Sequence, residues 1–565
     1  MRGDCELLRE CAENRSEPAF DLLEKHMNGH TSVIGANRCP KDASQPTVVC
    51  RGFHQVGYTL LPWWTVIISG ALLAGCALCL PLSQAIEIGG DEGFELAKAF
   101  LCHRGFHLYS EIWSDQPPLF TQALAALFAA TGPSVLWARL LTVVFSAGLL
   151  SAVFDLARRK SGLLAASSAV VLLVSAPLYL TLSVSVMQEV PAFSLAMLSV
   201  AGFSRWAEAR KLFWLVGSGV FFAAALMIKF TAALVIPAML VEAWLMRPGA
   251  TKRATAVWAG ATAATLLLLG LTLDFGNLSM LVVPHLEPQI IPGVSRPSDF
   301  VFPASIFLAH WDVYLTAIVA LYLVVAKKLW REAAVPLALL ATASIVHLLH
   351  RPWWSPYYVH HAIPLAWLAS IGVRDLAVAV RGALKSEETL RLRTVGAGML
   401  LAILAVQSVT RLASEVGVIR SARTTASDRV LHRIANYRTR TRWIYTQPVI
   451  YAFHAGIPVP PELAVLSLKR FWSGQMNWRR LLDIVQQYHP EQLLLLKTTM
   501  GPEWARFLKK DYVIELDDGE RILYVAKALR ASPAGVGRNS GGEARQSSSS
   551  TLRCRYLTNS SLTPL

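Results

Sequence analysis

The sequence of 565 residues has little charge, since only 16% of its residues are Asp, Glu, Lys or Arg. Ordinary soluble domains carry about 25%. Hydrophobic residues make up 54% of the chain, and its mean hydropathy is +0.42. This composition excludes an ordinary soluble protein. The net charge of +15 does not indicate a nucleic-acid partner, because the basic residues stand in short clusters between apolar runs or in the tails, as in cytoplasmic loops.

Several familiar signatures are missing. There is no P-loop, no GxGxxG stretch and no nucleophile elbow, which argues against nucleotide-driven chemistry. The eight Cys give no disulfide framework, and we interpret Cys76 and Cys79, which lie in an apolar run, as small apolar residues. Residues 1–57 lack the apolar core of a cleavable signal peptide. We therefore expect a polar cytoplasmic tail, followed by a span that acts as an uncleaved signal-anchor.

What the sequence does contain is long apolar runs. A helix needs about 20 apolar residues to cross a bilayer. The sequence has about eleven such runs, near 60–84, 135–157, 161–183, 190–206, 212–228, 230–246, 254–274, 303–326, 333–350, 358–376 and 395–412. It therefore predicts a multi-pass α-helical membrane protein.

The basic residues between these runs predict the orientation of the chain. With the N-terminus inside, the inner loops carry clusters such as 158–160 and 205–211, whereas the outer loop 275–302 carries only Arg296. Cytoplasmic loops are enriched in Lys and Arg. We therefore place the N-terminus in the cytoplasm. Because the number of spans is odd, everything after residue 412 is expected outside.

Two further regions lie outside the apolar runs. The outer loop 85–133 contains "ELAKAFLCHRG" and "PPLFTQALAALFAATG", which predict amphipathic helices at the membrane interface. After the last run, "RWIYTQPVIYAF", "QLLLLKT" and "DYVIELDDGERILYVAKA" predict short strands, and "NWRRLLDIVQQYH" predicts a helix. The predicted parts are a polar tail at 1–57, a transmembrane domain at 58–415, a small α/β domain outside the cytoplasm at 416–530 and a disordered tail at 531–565.

Acidic residues gather where the first apolar run ends, and they include Asp91, Glu92 and Asp115. A carboxylate beside a partly desolvated bilayer surface can have its pKa raised, as a general base requires. The alternative is that Asp91 caps a helix, with Glu92 at the positive end of the helix dipole.

Lys229 interrupts a nearly continuous apolar run in "LMIKFTAAL". A cation there is costly unless it is paired, and a lipid phosphate is a natural partner. Snorkelling to the interface is the alternative. The later stretch "RPWWSPYYVHHAIPLAWLA" fits an interfacial aromatic belt. Some residues of this stretch could also contact a phosphate group or a sugar ring, since aromatic faces suit sugar rings. They are Arg351, Tyr357, Tyr358, His360 and His361.

These features resemble the polyprenyl-phosphate-sugar-dependent glycosyltransferases of the GT-C class, which include the protein O-mannosyltransferases and the bacterial aminoarabinose transferases. The resemblance covers roughly residues 60–410 and implies a GT-C-like fold. It implies that Asp91 is the catalytic base and that Lys229 contacts the donor phosphate. Ile228 replaces the small polar residue that precedes this Lys in the family. Glu189, in "SVMQEVPAF", stands where an Asp is commoner and would orient the base or the acceptor; the alternative is helix capping.

The same resemblance bears on Asp115, which precedes "QPPL". Gln116 replaces the basic residue of the aminoarabinose branch, which weakens the case for lipid A as the acceptor. Asp115 and His285, in "VVPHLEPQ", are candidates for a divalent-metal site, and the alternative for His285 is a plain surface residue. No other cofactor is implied.

The resemblance implies a glycosyltransferase of the bacterial inner membrane. It would transfer a hexose or pentose from a polyprenyl-phosphate carrier to a protein, lipid or glycan outside the cytoplasm, with no nucleic acid involved. The alternative is a multi-pass transporter or flippase. Transporters tend to have ionisable residues near the bilayer midplane and internal repeats. Here the acids cluster at one face and no repeat relates the two halves.

Overall fold

The computed structural model describes residues 63–245, 248–273, 279–283, 296, 301, 303–385, 392–497 and 501–531. The predicted tail at 1–57, His285 and the predicted tail at 531–565, apart from its first residue, lie outside these ranges. The structure is mainly helical, with one small sheet near the C-terminus.

The helices of the membrane region follow one another along the chain up to Arg420. In the first half they are α1 Trp63–Cys79, α2 Glu92–His103, α3 Leu119–Thr131, α4 Val135–Ser161, α5 Leu163–Val174, α6 Tyr179–Val184, α7 Glu189–Ala209 and α8 Leu212–Leu226. In the second half they are α9 Ile236–Trp244, α10 Pro248–Thr272, α11 Ser279–Val282, α12 Ala304–Ala309, α13 Trp311–Lys327, α14 Trp330–Leu349, α15 Tyr358–Lys385 and α16 Leu392–Arg420.

Each predicted apolar run contains helix, so the multi-pass helical architecture is confirmed. Among the described residues, five helices have the length and composition to cross a membrane by themselves. They are Val135–Ser161, Lys252–Thr272, Trp330–Leu349, Ser355–Ala383 and Leu392–Arg420. Some of the other runs are broken. The run 161–183 is interrupted before Leu178, which has a positive φ of 65°, and the run 230–246 begins as a 3-10 helix.

The inner loops predicted from the charge pattern meet at one end of the helix bundle. Asp155 accepts hydrogen bonds from Arg159 at 2.8 Å and from Arg205 at 3.0 Å. Lys160 donates to Glu242 at 2.7 Å. All these residues lie near the C-terminal end of α4, which is about 40 Å long at 1.5 Å per residue. The N-terminal end of α4 lies at the opposite side, among the acidic residues of the first outer loop.

That loop is anchored by a fully buried ion pair between α2 and α4. The Arg139 guanidinium donates to both oxygens of Glu92 at 2.8 Å and to the carbonyls of Leu82 and Ala85. Glu92 also accepts from the backbone N–H groups of Ile88 and Val186. Since every group in this network is satisfied, it fixes the chain on both sides of Asp91.

The predicted α/β region after α16 is confirmed. Its elements are α17 Arg429–Ala435, β1 Ile444–Thr446, α18 Ile450–Ala455, α19 Leu468–Trp472, α20 Trp478–Tyr488, β2 Gln492–Leu496, α21 Pro502–Asp511, β3 Tyr512–Asp517, β4 Arg521–Ala526 and α22 Lys527–Ala531. The sheet order is β1-β2-β4-β3, in which β1 is parallel to β2 and the other pairs are antiparallel. One prediction was wrong, because only the first part of "RWIYTQPVIYAF" is a strand and its end begins α18.

The α/β unit packs on the first outer loop through α18. Phe453 makes an edge-to-face contact with Phe100 of α2, with ring centroids 5.7 Å apart. At Gly93 the two helices approach so closely that a Cβ would lie 3.1 Å from the backbone N of Ile450. The interfacial helix α2 is therefore covered by the C-terminal unit.

Candidate active site

A cavity of about 430 Å³ lies between the first outer loop, the membrane helices and the C-terminal unit. Its lining includes seven charged residues. They are Asp91, Glu95, Lys98, Asp115, Glu189, Lys229 and Lys469. Uncharged lining residues include Gln116, Gln188, Trp354 and Tyr357.

Backbone contacts bring these parts of the chain together. The Leu119 N–H donates to the Met227 carbonyl at 3.0 Å, which holds the stretch after Asp115 beside the stretch that carries Lys229. Gly89 lies against the turn before α7, where an added Cβ would sit 2.7 Å from the Ser185 hydroxyl. A side chain at position 89 would therefore force this turn and the backbone two residues before Asp91 apart.

Three Lys–carboxylate pairs line the cavity. Lys98 donates to Glu95 at 2.8 Å, Lys469 donates to Asp115 at 2.9 Å, and Lys229 donates to Glu189. Each ammonium is largely buried, with no more than 13% of its side chain exposed. Buried charges are tolerated when they are paired in this way.

Asp91 is the one acidic residue of the cavity lining that does not belong to any of these three pairs. Within the described part of the chain, its carboxylate has no ion pair and makes no capping hydrogen bond to α2. Removal from water raises the pKa of Asp91 to about 6, the charge of Glu189 adds to the rise, and Lys229 opposes it. The capping alternative for Asp91 is therefore not supported. The group is ionised at neutral pH, and its pKa is near that of an effective general base.

Lys229 precedes the 3-10 helix Phe230–Val235 and points into the cavity beside Glu189. Its ammonium lies 5.4 Å from the ring centroid of Tyr357, at cation–π distance. The Tyr357 ring is also stacked against His347 and His360, with ring centroids 5.0 Å and 5.4 Å away. The structure thus brings together four predicted residues: Asp91, Glu189, Lys229 and Tyr357.

Several predicted residues do not line this cavity. Glu92 is fully buried in the pair with Arg139. Tyr358 is fully buried and its hydroxyl lies 2.6 Å from Nδ1 of His310. His360 is hydrogen-bonded to His347, and Arg351 is exposed outside the lining. Tyr358 and Arg351 are therefore not placed to contact a ligand in this cavity, contrary to the prediction from the sequence.

His361 is also buried, and its ring is stacked on Tyr358 at 6.3 Å between centroids. The histidines of this stretch pack behind Tyr357 and fix its ring rather than facing the cavity. Gln116 does line the cavity, and its side-chain amide donates to Asp115 at 3.1 Å.

Sequence reasoning missed the C-terminal contribution to the site. The segment 465–469 forms one wall, and Lys469 belongs to it. It also missed Lys98 and Gln188, which both donate hydrogen bonds to Oε1 of Glu95. The amphipathic pattern of α2 could have found Lys98, because Asp91, Glu95 and Lys98 are spaced to share one helix face.

The predicted metal site stays a prediction. Within the described ranges no group of three or more His, Cys, Asp or Glu residues could hold a metal ion, and His285 lies outside these ranges. Asp115 is engaged by the Lys469 ammonium, so a metal ion would have to compete with that pair.

The geometry matches known proteins at the level of the fold. Residues 115–273 match the model of the dolichyl-phosphate-mannose-protein mannosyltransferase family. ArnT from Cupriavidus metallidurans bound to undecaprenyl phosphate has 14% identity and a TM-score of 0.58, over 83% of this chain and 99% of that chain. Its apo state has 14% identity and a TM-score of 0.59, over 83% and 98%.

The oligosaccharyltransferase of Archaeoglobus fulgidus in the apo form has 11% identity and a TM-score of 0.51, over 77% of this chain and 70% of that chain. No curated protein sequence matches the chain at a significant level. The resemblance to the GT-C glycosyltransferases is thus confirmed, and these similarities show the fold of that class.

Proposed function

We propose that the chain is a membrane glycosyltransferase that transfers a sugar from a polyprenyl-phosphate carrier to an acceptor hydroxyl. One observation carries this proposal: a single cavity holds Asp91, a carboxylate that forms no ion pair with any described residue, and Lys229, a cation beside an aromatic ring. The reaction needs a base for the acceptor and a cation for the phosphate, and the cavity contains both.

In the proposed reaction the acceptor hydroxyl gives its proton to Asp91. The oxygen lone pair forms a bond to the anomeric carbon, and the bond from that carbon to the phosphate oxygen breaks with its electron pair. The products are the inverted glycoside and polyprenyl phosphate. Lys229 offsets the negative charge that grows on the phosphate, while Glu189 orients the ammonium and raises the pKa of Asp91.

Two similarities support the lipid-linked donor. The matched family is named for transfer from dolichyl-phosphate-mannose, and the similar ArnT structure is bound to undecaprenyl phosphate. The basic clusters lie at the far end of α4 from the cavity. By the positive-inside rule we place the cavity on the outer face of the bacterial inner membrane, with the N-terminus in the cytoplasm.

Lys229→Met tests the phosphate contact. Hydrogen bonds to charged groups contribute about 1.5–3 kcal/mol, so we expect the KM for the donor to rise on the order of ten- to a hundredfold. Transfer is measured in membranes supplied with radiolabelled polyprenyl-phosphate sugar. Lys160→Met is the matched control, because Lys160 forms a similarly buried pair with Glu242 at the opposite end. The double variant Lys229→Met/Glu189→Gln removes the unpaired carboxylate left by the single change.

An unchanged donor KM in both Lys229 variants would contradict the proposed phosphate site. The same membranes separate the two function classes. Sealed vesicles that accumulate the sugar without forming a covalent product would identify a transporter instead.

The pH dependence of transfer follows from the pKa of Asp91, about 6. A base acts only when it is deprotonated, so kcat/KM should fall as the pH drops below about 6 and level off above it. Glu189→Gln removes a negative charge that raises this pKa. We therefore expect the acidic limb of the variant to move to lower pH. A limb that stays in place would show that another group titrates.

A further inference from the structure

We infer that Lys469, from the C-terminal α/β unit, is a second ligand of the donor phosphate and binds it together with Lys229. This inference rests on the proposed function. It gives the C-terminal unit a direct part in the reaction, because a cation of that unit would contact the substrate.

The two lysines face the same space from distant parts of the chain. Both line the cavity, and 12% and 13% of their side chains remain exposed. Tyr357 lines the cavity with them, and the Lys229 ammonium lies 5.4 Å from its ring centroid. Burial lowers the pKa of Lys469, whereas the charge and hydrogen bond of Asp115 are the main causes that raise it, and the net shift is upward, so the group stays charged. Lys229 also lowers this pKa, which places the two cations within electrostatic reach of each other.

Lys469 does not need its partner Asp115 to be held in place. It lies on the short helix α19, which is fixed by Trp472, stacked on Trp354 with ring centroids 6.0 Å apart. The next residue after Lys469, Arg470, donates to the Val465 carbonyl at 3.0 Å, and its guanidinium lies 5.6 Å from the Trp113 ring centroid. The packing of α19 therefore holds the Lys469 ammonium in the cavity. Another anion could replace Asp115 as its partner.

A phosphate group suits a site that contains the two ammonium groups of Lys229 and Lys469. The donor is a phosphodiester with one negative charge over two free oxygens, so each oxygen can accept from one ammonium. When the bond to the anomeric carbon breaks, the phosphate approaches a second negative charge. A second ammonium therefore stabilises the leaving group more than the bound donor, which is the kind of interaction that accelerates a reaction.

The test is binding of undecaprenyl phosphate to the full-length chain in lipid nanodiscs. Lys469→Met should weaken binding about tenfold or more, and Lys469→Arg should recover most of it. Lys497→Met is the matched control, because Lys497 pairs with Asp517 at 2.9 Å in the same unit, away from the cavity. The variant Lys469→Met/Asp115→Asn removes both charges, so that a lone buried carboxylate cannot cause the loss.

Undecaprenol, which lacks the phosphate, separates phosphate binding from a structural effect. If Lys469 binds the phosphate, the Lys469 variants should bind undecaprenol as well as the wild type does. Equal weakening of both lipids would mean that Lys469 only shapes the cavity and would overturn the inference. Unchanged undecaprenyl phosphate binding in Lys469→Met would overturn it as well. A wild-type chain that does not bind undecaprenyl phosphate would instead overturn the proposed function.

Discussion

Asp91→Asn is expected to lower sugar transfer by at least about a hundredfold while the protein continues to fold. Loss of a general base costs on the order of 10²–10⁴ in rate. Asn has nearly the same shape as Asp and suits a helix N-cap equally well, and the Asp91 side chain makes no capping bond. The loss should therefore appear in kcat, with donor binding and the amount of folded protein nearly unchanged. Transfer from radiolabelled polyprenyl-phosphate sugar measures it.

Asp483→Asn is the matched control for this experiment. Asp483 is exposed on α20 and lies outside the cavity lining, so the same chemical change there should leave transfer unaffected. If Asp91→Asn retained most of the wild-type rate, another group would have to accept the proton.

Arg139→Met is expected to destabilise the protein by about 3–5 kcal/mol, the usual effect of removing one partner of a buried ion pair. Both side chains of the Arg139–Glu92 pair have no exposed surface, so the change leaves the Glu92 carboxylate buried without its cation. It also removes the donors for the carbonyls of Leu82 and Ala85. The free energy of unfolding in a denaturing detergent titration measures the effect.

A second variant shows whether the unpaired charge is the cause. Arg139→Met/Glu92→Gln removes that charge but keeps an oxygen for the N–H groups of Ile88 or Val186, so it should recover part of the lost stability. Arg420→Met is the control, because exposed Arg420 bonds only the Cys79 carbonyl at the end of α1 among the described contacts. A single variant as stable as the wild type would show that the pair does not anchor the loop.

Much of the architecture could be predicted because membrane helices require long runs of apolar residues, which are visible in the sequence. Each apolar run became helix, since the bilayer leaves backbone groups no partner outside the segment. The break before Leu178 could not be predicted, because it depends on Glu415, which accepts the N–H of Thr181 at 3.2 Å and that of Leu178. That partner lies on a helix more than 200 residues away. Likewise, the helix at Ile450 lies in a β-branched and aromatic stretch that favours strand, and tertiary packing on α2 decides it.

The site could be predicted in part for the same reason. Asp91, Glu189 and Lys229 each stand at an edge of an apolar run, where a charge is informative. Glu92 has the same sequence context as Asp91, yet it pairs with Arg139, a partner that only the fold reveals. Tyr357 and Tyr358 are adjacent, and nothing in the sequence shows that the first faces the cavity while the second contacts His310.

The wall formed by segment 465–469 has a consequence for biosynthesis. Asp91 leaves the ribosome early, but the wall opposite it is translated after α16, nearly 380 residues later. The cavity is thus completed only after the segment 465–469 has been synthesised. A nascent chain that ends before this segment lacks Lys469 and one wall of the cavity, so the complete site can form only after the C-terminal unit has been translated and folded.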